Sequence, residues 1–346
     1  LDPVVAPVLS VPLAPLTTLR LGGPARRLVD ATSAEEVVAA LREADAAGEP
    51  VLVLGGGSNV VVADDGFPGT VVRIGSTGRS LALEGGTARY RVEAGEDWDV
   101  LVAASVADGL GGLECLSGIP GRAGATPVQN VGAYGVEIAD VLVSIDLYDR
   151  RTDAVRRDVP AAELGLAYRT STLKGRADVV VLAVVFRLTT DGLSAPIRYA
   201  ELARTLDVEP GARVPVADAR AAVLALRGGK GMVLDAADRD TWSVGSFFTN
   251  PVLDTAPEGA PTWPAADGRV KVPAAWLIQR AGFERGHAGP GGRVALSSKH
   301  VLALTHRGGG STADLLALAG RVRDGVRARF GVELHPEPVL VGCALP

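Results

Sequence analysis

The chain has 346 residues, a net charge of −5 at pH 7 and a pI near 5.5. Apolar residues make up 47% and charged ones 22%, an ordinary globular balance with material for two or three domains. The acidic balance excludes a global basic field for nucleic acid, so any anionic ligand has to be held locally by Arg, Lys or backbone N–H groups.

In chain order, "LDPVVAPVLSVPLAPLTTLR" is apolar but broken by Pro3, Pro7, Pro12 and Pro15 and has no basic start. Neither a signal peptide nor a membrane span is expected from it, and the expected location is cytoplasmic. "RLVDAT" reads as extended. Ser33 and Glu36 have capping-box spacing ahead of the amphipathic "AEEVVAALREADAAG", which Gly48 ends. "VLVL" (51–54) is a buried strand, followed by loop, strand, turn and strand through "GGGSNVVVADDGFPGTVVRI". "YRVEAG" alternates as a strand, and "DWDVLVAASVADG" is a helix capped by Asp97 and stopped at Gly109. A Gly-rich loop (111–135) precedes two strands, "VLVSIDLYD" (141–149) and "VVVLAVVFRL" (179–188). Residues 190–215, rich in Pro, read as a linker. "VADARAAVLALRGGKG" is a helix to Gly228, "VPAAWLIQRAG" a short helix with Pro273 near N1, and "TADLLALAGRVRDGVRARFG" a final helix from Ser311 to Gly331, with a last strand in "EPVLVG". This order suggests an α+β fold rather than a regular βαβ series.

Two cysteines, Cys115 and Cys343, lack CxxC spacing, and His287, His300, His306 and His335 do not cluster with them. A zinc site and a disulfide framework are not expected, and lone thiols fit a reducing compartment. His306 and His335 read as packing or surface groups.

Several stretches carry chemistry. In "LGGGSNVVV" (54–62) three glycines after a buried strand let the backbone approach a ligand, and consecutive N–H groups there suit a diphosphate. The stretch matches neither GxGxxG nor a Walker motif, and a purely structural turn is the alternative. "LSGIPGRAGATPVQNVGAYG" (116–135) places Thr126, Gln129 and Asn130 among small residues, which suits a loop laid along a planar cofactor; the alternative is an ordered Ω-type loop. Arg169 in "AYRTS" stands at a strand mouth, where a surface ion pair is the plain reading. Glu337 in "LHPEPV" is fixed between two prolines, for a held carboxylate or a rigid turn. "VGSFFTNP" (244–251) joins an apolar pair to Ser246 and Asn250. Ser246 lacks the G-x-S-x-G pattern, because Phe248 stands at the second glycine's place, so a serine hydrolase is a minor alternative.

"GGGSNVVV", "IPGRAGATPVQNVGAYG", "AYRTSTLKG", "GSFFTNP", "KVPAAWLIQRAGF" and "HPEP", in this order and at these separations, resemble the UDP-N-acetylenolpyruvoylglucosamine reductase family from about Thr18 to Val341. The resemblance implies three α+β domains: 1–74 with 332–346 and 75–200 as a PCMH-type FAD-binding unit like that of the vanillyl-alcohol-oxidase flavoproteins, and 201–331 as the UDP-sugar domain. It implies non-covalent FAD, held through Gly55, Gly57, Ser58, Asn59, Gly124, Thr126, Gln129, Asn130 and Gly135. It also implies NADPH as co-substrate and an NADPH-dependent reduction of UDP-N-acetylglucosamine enolpyruvate to UDP-N-acetylmuramate, in peptidoglycan precursor synthesis.

In that implied chemistry, NADPH reduces the flavin, hydride passes from N5 to C3 of the enolpyruvyl group, and Ser246 gives a proton to C2. Arg169 forks onto the substrate carboxylate and Glu337 polarises the developing enol. Substrate contacts fall on Tyr199 as a lid residue in "IRYAEL", on Arg227, Lys230 and Asn250, and on Lys271. The segment "GMVLDAADRDTW" (231–242) has no counterpart in the family's shorter pattern, and Trp263 stands where a tyrosine is expected. A monomer without nucleic-acid or membrane partners is expected. The alternatives are a flavin-dependent oxidase of the same superfamily and a non-catalytic flavin- or nucleotide-binding protein.

Overall fold

A computed structural model of the chain describes residues 7–346. The N-terminal reading at Pro3, and residues 1–6 of the expected first domain, lie outside the described residues. The chain divides into two compact units. Unit 1 takes the residues up to Val11, Ala25–Gly56 and Pro68–Gly228; unit 2 takes Pro12–Pro24, Gly57–Phe67 and Gly229–Pro346.

Unit 1 contains two larger sheets besides a minimal hairpin. The first is four-stranded, in the order Val8–Pro12, Pro24–Ala31, Phe67–Ile74, Val51–Leu54. The last two of these strands run parallel, joined in register from Val51↔Thr70 to Leu54↔Arg73. The crossover between Pro24–Ala31 and Val51–Leu54 is helix α1 (Ala34–Ala46). Ser33 Oγ accepts the Glu36 N–H at its start, and Gly48 leaves it at φ +64. Glu36 returns the bond to Thr32 N–H, one residue earlier than a standard capping box.

The second sheet is antiparallel and five-stranded, in the order Ala154–Pro160, Leu142–Asp149, Val179–Thr189, Thr87–Glu93, Arg79–Glu84. Its central strand, VVVLAVVFRLT, is buried along almost its whole length because both faces are covered. Val180 and Leu182 pack with α1, and Val181, Val184 and Phe186 pack into the larger core on the other face. Helix α2 (Trp98–Ala107), capped by Asp97, closes that core. Its Trp98 is fully buried edge-on to Phe186, with centroids 5.9 Å apart.

The stretch read as a linker holds helix α3 (Ala200–Leu206), followed by α4 (Val216–Gly229). Leu202, Ala203, Ala219 and Val223 join the core of the five-stranded sheet, and Arg220 holds Asp99 of α2 with two bonds of 2.7 and 2.9 Å. The local composition around Pro196 and Pro210 hid α3, since only two of its seven residues are buried. The expected boundary at 200/201 therefore falls inside unit 1, which runs to Gly228.

Unit 2 is organised around α6 (Thr312–Phe330), after α5 (Ala274–Arg280). Ser311 and Asp314 form a reciprocal capping box at the start of α6, and Gly331 ends it at φ +67. Asp64 adds bonds to the N–H groups of Thr312 and Ala313 at 2.7 and 2.9 Å, placing a carboxylate at the helix N-terminus. Leu315, Leu318, Ala319, Val322 and Val326 face Phe247, Phe248, Leu277 and Leu304 in one core. The C-terminal strand Val339–Val341 runs parallel to Val60–Val62.

The core of unit 1 makes one prediction about reactivity. Cys115 has no exposed surface, and burial, aided by the neighbouring Glu114 charge, pushes its thiol up to about 12. At pH 8 such a thiol is roughly one part in ten thousand thiolate. A disulfide reagent should label Cys115 at least about a thousandfold more slowly in the native protein than in denaturant, as peptide-resolved thiol titration would record.

Candidate active site

The glycine triplet after Val51–Leu54 is where the chain leaves unit 1, with Gly55 and Gly56 in unit 1 and Gly57 in unit 2. A Cβ on Gly56 would lie 2.8 Å from the Cα of Gly121, and one on Gly57, at φ +62, would lie 2.0 Å from Leu16 O. Only bare backbone fits at either position. Among the described residues the N–H groups of Gly56, Gly57 and Ser58 enter no backbone hydrogen bond. Bare backbone with available N–H groups is what a diphosphate requires, so these residues fit the phosphate end of an FAD. Asn59 O accepts the Val339 N–H at 2.9 Å, which ties the stretch to the C-terminal strand.

The loop 116–135 in unit 1 is rigid for identifiable reasons. Trp98 Nε1 donates to Leu116 O at 3.0 Å, and Gly118 N donates to Asp99 at 2.6 Å. Ala123 and Gly124 donate to Glu96 O and Ala94 O. A Cβ on Gly124 would come within 2.4 Å of the Ala94 Cβ, so this glycine lets two backbones touch. Thr126 is buried with its hydroxyl on Ala123 O. Asn130 is fully buried at φ +47, and its side chain bonds Glu137, Ala167 O and the Ala139 N–H at 2.7, 3.2 and 2.9 Å. Those bonds shape the loop, so Asn130 acts on its conformation rather than reaching outward. Beyond it, Gly132–Ala133 and Val136–Glu137 form a minimal hairpin whose two turn residues, Tyr134 and Gly135, are both at positive φ.

Arg169 belongs to this part of unit 1. It sits at φ +54 in a tight turn closed by reciprocal bonds of 3.1 Å between Ala167 and Thr170. Its Nη2 donates to Gly132 O at 2.8 Å, its guanidinium lies 5.2 Å from the Tyr168 ring centre, and its carbonyl accepts Lys174 Nζ at 2.8 Å. A left-handed arginine is costly, and such strain is found where function fixes a side chain. Tyr199, exposed at the start of α3, meets Tyr134 edge-on at 5.4 Å. Burial pushes the Tyr134 hydroxyl up to about 12. Arg227 donates to Gly118 O at 3.3 Å, and burial pulls its guanidinium below the ordinary value.

Ser246 and Glu337 lie in unit 2, 91 residues apart in sequence but on adjoining segments. Phe247 donates to Leu302 O at 2.8 Å on one side, and Phe247 O accepts the Glu337 N–H at 2.8 Å on the other. Ser246 bridges Ala303 and Phe248 bridges Pro336. Phe247 and Phe248, 0% and 1% exposed with rings 5.1 Å apart, anchor this three-stranded crossing while Ser246 stays half-buried. Asn250 Oδ1 accepts the Ala274 N–H at 2.9 Å and so caps α5. Lys271 pairs with Val252 and Trp263 in a small sheet, and Lys230, just after α4, is half-buried. Tyr134 and Lys174 are the side chains here that sequence reasoning does not single out. Only Tyr134 left a signal, the Tyr-Gly pair of an apolar loop.

A cavity of about 660 Å³ in unit 1 is lined by residues including Ser33, Arg79, Arg91 and Asp146, and by none of the residues above. Arg91, in its wall, is paired with Asp146 at 2.9 Å. Among the described residues no group of three His, Cys, Asp or Glu side chains is placed to hold a metal, and no helix is long and apolar enough to cross a membrane.

A bare-backbone glycine turn after a sheet strand and, in unit 1, a rigid apolar loop beside a strained arginine fit a flavoprotein of PCMH type. Comparison with known proteins agrees: residues 25–157 match the FAD binding domain family, and residues 237–341 match the UDP-N-acetylenolpyruvoylglucosamine reductase, C-terminal domain. A reductase of that name from Saccharopolyspora erythraea is 62% identical, over 96% of this chain and 95% of the relative, and one from Mycolicibacterium smegmatis is 54% identical over 97% and 96%. The crystal structure of the reductase from Thermus caldophilus superposes with a TM-score of 0.65 at 25% identity, over 98% of this chain and 99% of that one. The chain belongs to the UDP-N-acetylenolpyruvoylglucosamine reductase family.

Proposed function

We propose that this family member works through Arg169, Ser246 and Glu337. It is an FAD-dependent oxidoreductase that uses NADPH to reduce UDP-N-acetylglucosamine enolpyruvate to UDP-N-acetylmuramate in peptidoglycan precursor synthesis. Full-length likeness to reductases of this name carries that reading.

FAD, when bound, would supply hydride chemistry driven by NADPH, with C3 of the enolpyruvyl group as the acceptor. The C2–C3 π pair then becomes an enolate delocalised over C2 and the carboxylate. Arg169, a permanent cation with a planar fork, holds that carboxylate and the charge growing on it. Glu337, sharing a proton, polarises the enol oxygen. Ser246 Oγ–H gives its proton to C2, completing the saturated lactyl carbon. The bond from Glu337 N–H to Phe247 O supports this pairing of roles, because it holds the two residues on neighbouring backbone.

Gly55, Gly57, Ser58 and Asn59 hold the diphosphate in this reading, and Gly124, Thr126, Gln129, Asn130 and Gly135 shape the loop along the ring. Tyr199, Arg227, Lys230, Asn250 and Lys271 serve the sugar nucleotide, with Asn250 Nδ2 as the group left by its capping bond. The work divides over 1–74 with 332–346, 75–200 and 201–331, and the C-terminal strand beside Val60–Val62 supports the first of these groupings. A cytoplasmic monomer without nucleic-acid or membrane partners fits two substrates that are both cytoplasmic anions.

The test is anaerobic. Purified protein should show flavin absorbance, NADPH should bleach it, and the enolpyruvyl sugar nucleotide should restore it. Rapid reoxidation by air but not by the sugar nucleotide would instead indicate an oxidase, and flavin that NADPH leaves unbleached a binding protein.

A further inference from the structure

The segment 231–242 ends in a single 3₁₀ turn (Arg239–Thr241) started by Asp238. Asp240 in that turn is only 5% exposed. Its carboxylate accepts the Ser298 N–H at 2.9 Å, the Ser298 hydroxyl, and Arg307 Nη2. Burial pushes this carboxyl up, but the bonds from Ser298 and Arg307 outweigh it and hold it below the ordinary range. Two residues earlier, Asp238 accepts from Lys299 Nζ at 2.6 Å. Two acids of one short turn thus grip consecutive residues, 298 and 299, of a single loop.

That loop is tight. Ser297 N donates to Ala303 O at 2.8 Å, and Ser297 Oγ accepts the N–H groups of Lys299 and His300. Its far limb provides Leu302 O for the Phe247 N–H and Ala303 for the bridge to Ser246. On the other flank, Thr18 Oγ1 donates to Ser243 O at 2.6 Å, and Trp242 O accepts the His306 N–H. The backbone carrying Ser246 is therefore fixed from outside, and of the two acids that grip the loop Asp240 is the buried one.

We infer that Asp240 is a positioning residue for the proposed proton donor: its carboxylate locks the 297–303 loop against residues 246–247 and so sets the direction of Ser246 Oγ. This rests on the assignment of proton donation to Ser246. An unpaired buried charge would be expensive, so Asp240, Arg307 and Ser298 act as one unit. Displacing a reacting group by about 1 Å costs on the order of a hundredfold in rate.

The test uses the full-length holoenzyme with Asp240→Asn, which keeps the size and one acceptor but removes the charge that holds Arg307. Hydrogen exchange should speed up about tenfold or more in peptides spanning 243–249 and stay unchanged in those spanning 92–102. Bleaching by NADPH should stay within about twofold, while reoxidation by the enolpyruvyl substrate slows about 10- to 100-fold and shows a larger solvent deuterium isotope effect. Ser298→Ala, which removes one bond only, should move the same readouts in the same direction by less, and it carries the test should Asp240→Asn fail to fold.

Unchanged exchange, both half-reactions slowing in step, or faster exchange with normal reoxidation would each overturn the inference. If Ser246→Ala itself reoxidises normally, the donor assignment falls and this inference with it, while the exchange data still report whether the loop is held.

Discussion

Ser246→Ala is expected to leave bleaching of the flavin by NADPH within about twofold of normal and to slow reoxidation by the enolpyruvyl substrate by about 10²–10⁴-fold. The asymmetry follows from the chemistry. The first half-reaction moves a hydride and needs no proton from the protein. The second leaves a carbanionic C2 that is not finished until a proton reaches it, and alanine has none to give. The substitution is structurally mild, because the bonds fixing this segment are made by backbone: Phe247 N–H to Leu302 O, and Glu337 N–H to Phe247 O. The two buried phenylalanines stay where they are. Stopped-flow absorbance of each half-reaction, measured separately, decides it. Equal slowing of both would mean that Ser246 serves the fold or the flavin rather than the proton.

Arg169→Lys should lower kcat by about 10²-fold or more while changing KM much less, because the lost interaction is strongest as charge develops on the substrate. Charge is conserved in this substitution, but geometry is not. Arg169 donates to Gly132 O with its guanidinium beside the Tyr168 ring, and its planar fork carries five N–H donors in a fixed geometry. A lysine ammonium is a point charge, and bonded to Gly132 O it has no fork left for a carboxylate. The backbone is a second constraint, since φ +54 is held by the closed turn between Ala167 and Thr170. Flavin content and thermal midpoint should not change. Steady-state kinetics with near-normal kcat would remove Arg169 from the chemistry.

The two predictions draw on different kinds of information. Local chemistry wrote the helices: Ser33, Asp97 and Ser311 each cap through a bond to the residue three positions on, and Gly48 and Gly331 leave their helices in the left-handed region. Capping is a contact within one turn, so it is legible from spacing. The strands Arg79–Glu84 and Ala154–Pro160 are not legible in the sequence, because all but two of their thirteen residues are exposed and no buried apolar face marks them. They are strands only because a sheet edge offers them partners. Helix α3 escaped for a similar reason, its two core residues finding their place only once the five-stranded sheet exists.

At the candidate site the six motifs carried family and chemistry, but not which atoms were already engaged. Asn130 was expected to face a cofactor, and its side chain is instead taken up by Glu137, Ala167 and Ala139. Asp240 gave no signal, because its partners at 298 and 307 are about sixty residues away.

The sequence by itself determined the caps, the glycine positions that tolerate no side chain, the apolar central strand and the family, all of which depend on neighbours along the chain or on motif order. Only the tertiary structure decided that Glu337 lies beside Phe247, that Arg169 reaches Gly132, and that Asp240 is buried against Ser298 and Arg307. Those contacts join residues 90, 37 and 58 positions apart, and their partners are chosen by packing, which no local pattern encodes.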